Sequence, residues 1–154
     1  MRPLCWRRLS AGEHALAAEV FAGGLDAARV RLFAIPIWDR AFVAGGRLMV
    51  WPAAGARPDF ADPATPLDAQ ATFVHELTHV WQAQNGVFLP LAKIKAGDGD
   101  DAYAYDLEHG PGFTAMNIEQ QAMVVEDAFR LSRSGEAPHP RALYAAASVH
   151  WRGR

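Results

Sequence analysis

The chain reads as an α+β protein, a small antiparallel or mixed sheet followed by a helical half. Three observations predict this. Charged and apolar residues alternate at Arg29, Val30, Arg31 and Leu32, the period of a strand. Two apolar runs flank Gly45-Gly46, the pattern of a hairpin. From Leu67 onward, Leu67, Ala71, Val74, Thr78 and Trp81 recur at helical spacing. With 154 residues, 51% hydrophobic, and neither an internal repeat nor a long linker, one domain over residues 1–154 is expected.

The elements follow in order. Residues 10–21 predict a short helix, opened by a capping box of Ser10 with Glu13 and ended by Gly23-Gly24. "ARVRLFAIP" predicts a strand, and "RAFVAGGRLMVWP" a hairpin whose second strand stops at Pro52. Helix plus small sheet thus occupy residues 1–52. Pro52, Gly55, Pro58, Pro63 and Pro66 mark a surface connector. A helix is expected over residues 65–86, stopped by Asn85-Gly86. Residues 87–112 read as irregular and rich in Gly and Asp. A second long helix is expected within residues 113–134, starting near Thr114, and a third candidate begins at Pro140.

Composition excludes several classes. Lys and Arg number 15 against 17 Asp and Glu, and the cluster Arg2, Arg7, Arg8 is too short for a basic stripe, so nucleic acid is not an expected partner. Cys5 is the only cysteine; no disulfide is expected, and a metal would be held by His and carboxylates. No apolar segment follows the first arginines, so no secretory signal is expected. No apolar run reaches the roughly 18 residues of a membrane span. A cytoplasmic location follows as an expectation, and export independent of a cleavable signal is compatible with it.

The stretch "TFVHELTHVWQAQ", residues 72–84, carries the chemistry. His75 and His79 stand one helical turn apart on the same face, so both rings can meet one ion. Zinc accepts neutral imidazole at roughly 2.0–2.1 Å. Glu76 is rotated away from the pair and suits a general base acting on a water at the metal, whose pKa zinc lowers toward about 7. An apolar strip of helix around such a motif argues against an ordinary solvated His-Glu pairing.

A catalytic zinc needs a third protein ligand. In the second long helix, Ile118, Ala122, Val125 and Phe129 centre the apolar stripe, and Glu119 and Glu126 lie on one edge of it. Glu119 is the favoured ligand and Glu126 the alternative. The other carboxylate, or Asp127, would orient a ligand histidine.

The flanks of the motif resemble those of the zincin peptidases. Thr72 precedes the first histidine by three, Phe73, Leu77, Thr78 and Val80 are uncharged, and Trp81 is apolar two after His79. Metzincins would place a glycine and then a His or Asp where this chain has Gln82 and Asn85. The gluzincin class, which takes a Glu from a downstream helix, fits better. "HELTHVWQ", the pair Tyr103 and Tyr105, and "NIEQQA" at residues 117–122 resemble small bacterial gluzincin-like proteins, some of them Vgr-related. The resemblance covers about residues 70–130. It implies a zincin-like fold, Zn2+ held by His75, His79 and Glu119, Glu76 as base, and a secretion-system neighbourhood. The chain departs from it at Met123, where many gluzincins have an Asp, so support for the first histidine must come from elsewhere.

An oxyanion donor is expected among Tyr103, Tyr105 and His109, between the two site helices. "RLMVW", residues 47–51, reads as an ordinary strand, or as an edge strand beside the cleft where a peptide could add. "GDGDD" lacks EF-hand spacing and reads as a solvated loop. His14, His139 and His150 are isolated, and the five tryptophans read as core. The functional expectation is a zinc-dependent metallopeptidase acting on a peptide or protein, with Glu76 as general base. The alternatives are a non-catalytic zinc-binding interaction module of a bacterial secretion system, and an effector delivered by one.

Overall fold

A computed structural model describes residues 2–153. The strands are β1 (Trp6–Arg8), β2 (Arg31–Ile35), β3 (Phe42–Ala44) and β4 (Leu48–Pro52). Helix α1 (Ala11–Phe21) lies between the first two. Four further helices follow the sheet: α2 (Leu67–Gln84), α3 (Leu89–Ala96), α4 (Ile118–Ser132) and α5 (Arg141–Ala147). The protein is α+β with a small mixed sheet. Among the described residues, no helix is long and apolar enough to cross a membrane.

The sheet order is β1-β2-β4-β3. β1 runs antiparallel to β2, β2 parallel to β4, and β3 antiparallel to β4 across the Gly45-Gly46 turn. Gly45 has φ +67°, which a glycine takes without a Cβ penalty. This order decides between the two readings of residues 47–51: they form an ordinary inner strand and not the edge. β4 is enclosed by two neighbours, and Met49, Val50 and Trp51 are buried, so the edge belongs to β3.

β1 was not expected, because three residues containing two arginines carry no periodicity. It is tied down by chemistry instead. Arg7 donates to both carboxylate oxygens of the fully buried Glu13, at 2.6 Å each. Glu13 also accepts from the backbone of Ser10 at 2.8 Å and of Phe60 at 2.9 Å. One residue thus closes the α1 capping box and pins the proline-rich connector.

The connector leads through Phe60 into the core. Trp51 and Phe60 have ring centroids 4.4 Å apart, and Phe60 stacks on Phe73 of α2 at 4.8 Å. Phe73, Val74, Leu77 and Val80 are fully buried, each such burial being worth roughly 1.5–3 kcal/mol. Of the flanking positions of the histidine motif, only Thr72 is exposed, and Trp81 is half-buried. α2 runs antiparallel to α4: Asp68 meets Arg130, His75 meets Glu126, and Gln82 meets the Ile118 carbonyl.

Two expectations are corrected. Residues 87–112 are not wholly irregular: α3 occupies Leu89–Ala96. Pro90 stands in its first turn, where its missing N–H breaks no helical bond, and Lys93 and Lys95 sit in its last turn. α4 begins at Ile118 rather than near Thr114, because Asn117 caps it in a box with Gln120. Phe113–Ala115 form a separate single turn ahead of it.

Candidate metal centre

α2 brings His75 and His79 together with ring centroids 4.9 Å apart and ring planes at 81°. The first turn of α4 brings Glu119 against both. Glu119 Oε2 lies 3.2 Å from His75 Nε2 and 3.3 Å from His79 Nε2. The three ligand atoms lie within 4.8 Å of one another, so the group could hold a metal ion. A tetrahedral ion with bonds of roughly 2.0–2.1 Å separates its ligand atoms by about 3.3–3.4 Å. The two N···O separations match that edge, and the donor set, two imidazoles and one carboxylate, suits zinc.

Each histidine is held from behind. His75 Nδ1 lies 3.1 Å from Glu126 Oε2. Glu126 Oε1 in turn accepts from Arg130 Nε and Nη2 at 3.1 and 2.8 Å, and Arg130 reaches on to Asp68. This is the support that Met123 cannot give. His79 Nδ1 lies 2.8 Å from Gln82 Oε1. Gln82 Nε2 donates at 2.9 Å to both the Ile118 carbonyl and Gln121 Oε1, so its oxygen must face His79 as an acceptor. His79 Nδ1 therefore carries a proton, and Nε2 is the nitrogen turned to Glu119 and available to a metal ion.

Electrostatics follow from this packing. Burial opposes the charge on His75, but carboxylates on both ring nitrogens outweigh it and push its pKa up to about 9. Burial also opposes charge on Glu119 and Glu126, yet hydrogen bonds from the histidines, Lys93 and Arg130 hold both below the usual carboxylate range. Glu76 behaves in the opposite way. Burial, only partly offset by the two histidines, raises its carboxyl pKa. It is 6% exposed, and its Oε2 is buried without a hydrogen-bond partner among the described residues.

A cavity of about 580 Å³ opens over the cluster, and His75, Glu76, His79 and Glu119 line it. β3 forms one wall, and Leu89, Pro90 and Lys93 of α3 with Tyr103 form another. The hairpin is clamped over α2 by Gln84, whose Nε2 donates to the Gly46 carbonyl at 2.9 Å and whose Oε1 accepts from Asp26 N at 2.8 Å.

The structure brings His75, Glu76, His79, Glu119 and Tyr103 to this cavity, and Glu126 behind it. It does not bring Tyr105 there. The Tyr105 hydroxyl is engaged with Asp127 at 2.5 Å and with the Tyr144 hydroxyl at 2.6 Å. Asp127 is thereby occupied with Tyr105 rather than with a histidine of the cluster. His109 is exposed beside Asp106, His150 stacks on Phe113, and His139 contacts the segment around Tyr105. Lys93 and Gln82 touch the cluster, and Arg130 touches Glu126 behind it, without having been expected there. Only Gln82 had a signal: an amide three residues after His79 on the same helix face.

The fold and site define an α+β protein with a buried His-His-Glu cluster opening to a cleft. No protein-family model matches the chain. The type VI secretion system spike protein VgrG2b of Pseudomonas aeruginosa is 35% identical over 130 residues, which cover 80% of this chain and 13% of that protein. The solved effector domain of Pseudomonas aeruginosa VgrG2b is 29% identical, with a TM-score of 0.72, over 96% of this chain and 84% of that one. The chain is therefore Vgr-related, and it corresponds to a small part of the full spike protein's length.

Proposed function

We propose that this protein is an effector module of a type VI secretion system, and that its chemistry is zinc-dependent peptide hydrolysis in a zincin-like, gluzincin-type site. Similarity to the effector domain of a spike protein supports the secretion-associated half of this reading. A partner in the secretion apparatus and export without a cleavable signal go with it. The peptidase half rests on one observation: Glu76 keeps an unpartnered buried carboxylate oxygen beside three clustered ligand atoms at the floor of a cleft.

Zinc bound by His75, His79 and Glu119 would supply a Lewis acid and bring the pKa of a water toward about 7. Glu76, with its raised pKa and free oxygen, takes a proton in the cavity and returns it to the leaving amine. Tyr103 accepts from Lys93 at 3.1 Å, which leaves its own hydrogen for the oxyanion of the attacked carbonyl. The free edge of β3 beside the cavity suits an extended peptide, which would add as a strand. Substrate is thus a peptide or an unfolded segment of a protein.

The test is metal content together with cleavage of a panel of denatured proteins, wild type against Glu76→Gln. The reading expects zinc in both proteins and cleavage by the wild type alone. Zinc in both with cleavage by neither would favour the second reading, a zinc-binding module that works by interaction within the secretion apparatus.

A further inference from the structure

The two oxygens of Glu119 have different tasks. Oε2 faces both histidine Nε2 atoms, at 3.2 and 3.3 Å. Oε1 faces away from them and accepts from Lys93 Nζ at 2.9 Å. The ammonium has two further polar neighbours, the Tyr103 hydroxyl at 3.1 Å and Asp98 Oδ1 at 3.1 Å. The ammonium is also 5.2 Å from the centre of the Tyr103 ring. Lys93 thus bridges Glu119 to Tyr103 and Asp98, with its side chain 38% exposed. α3, which carries it, packs directly against α4.

A carboxylate can hold a metal through one oxygen or through two. A second oxygen from Glu119, added to two imidazoles, one carboxylate oxygen and a water, would raise a four-coordinate ion to five. Swinging Oε1 inward would also strip the ammonium of its most buried partner. We infer that Lys93 is a positioning residue that keeps Glu119 a one-oxygen ligand, so that a metal held by this cluster stays four-coordinate, with its fourth position facing the cavity. The inference rests on the metal-site reading above, and it concerns coordination number rather than cleavage.

Cobalt(II) loaded in place of zinc reports coordination number through its visible absorption, which is intense for four ligands and weak for more. Wild type, Lys93→Met and Lys93→Arg would be loaded and compared, with circular dichroism confirming the fold. The expected result is an intense four-coordinate spectrum for wild type and for Lys93→Arg, and loss of at least roughly half of that intensity in Lys93→Met. A Lys93→Met spectrum equal to wild type overturns the inference while leaving the metal site intact. Failure of wild type to bind cobalt or zinc overturns the metal-site reading itself, and the inference with it. X-ray absorption of the zinc-loaded wild type needs no variant, so it tests one-oxygen ligation by Glu119 even where Lys93→Met does not fold, and Lys93→Arg then carries the test of the ammonium. One carboxylate oxygen at roughly 2.0–2.2 Å supports the inference, and two equivalent oxygens overturn it.

Discussion

Gln82 Oε1 sits 2.8 Å from His79 Nδ1, and the amide cannot turn over, because its nitrogen is committed to the Ile118 carbonyl and to Gln121. A neutral amide thereby sets the tautomer of a histidine that faces a carboxylate on its other side. Gln82→Leu keeps much of the volume and removes the acceptor. It is expected to weaken zinc binding by about 10- to 100-fold. Competition with a chromogenic chelator measures this, and unchanged affinity would show that His79 needs no such partner.

Glu119 and Glu126 meet the two nitrogens of the same ring, His75, and their removal should separate them. Glu119→Ala is expected to empty the site at stoichiometric zinc. Glu126→Ala should leave zinc bound but about 10- to 100-fold more weakly. Metal analysis after gel filtration distinguishes the two. The reverse ranking would make Glu126 the ligand and Glu119 its neighbour.

The two tyrosines make opposite predictions. Tyr103→Phe removes the proposed oxyanion donor at the cavity and is expected to lower kcat by about 100- to 1,000-fold with zinc content unchanged. Tyr105→Phe leaves Asp127 and the Tyr144 hydroxyl without their shared partner. It should cost about 1–3 kcal/mol of stability and spare kcat. Urea unfolding and steady-state kinetics on both variants would expose an exchange of roles.

Glu13 lies outside the site and anchors the first third of the chain. It is fully buried and accepts from Arg7, Ser10 and Phe60. Glu13→Ala strands the Arg7 guanidinium and is expected to destabilise the fold by about 3–5 kcal/mol. Chemical denaturation measures this directly. A loss below about 1 kcal/mol would mean that the pair contributes no more than an exposed one.

How legible the site was depended on distance along the chain. His75, Glu76 and His79 are a local pattern on one helix, readable from spacing alone. Glu119 was reachable because it edges an apolar stripe on a second helix. Lys93 was not, since α3 turns Leu91 and Ile94 to the solvent and so shows no amphipathic period. The two tyrosines look equivalent in sequence, yet only the packing of α4 and α5 draws Tyr105 away toward Asp127 and Tyr144. In the sheet, the hairpin was plain, but its place was not. Parallel pairing of β2 with β4 puts β4 inside and β3 outside, a long-range choice that the turn between them does not set.

The Gln84 clamp has a mechanical consequence. Hydrogen bonds from one side chain to Gly46 and Asp26 join the end of the histidine helix to the hairpin turn and to the segment before β2. A Cβ at Gly46 would already meet Gln84 Cγ at 3.0 Å, so the two surfaces are in tight register. One wall of the cleft, β3, is therefore fastened by a single side chain to the helix that carries both histidines, so a change at Gln84 would be felt at the cleft and not only at the turn.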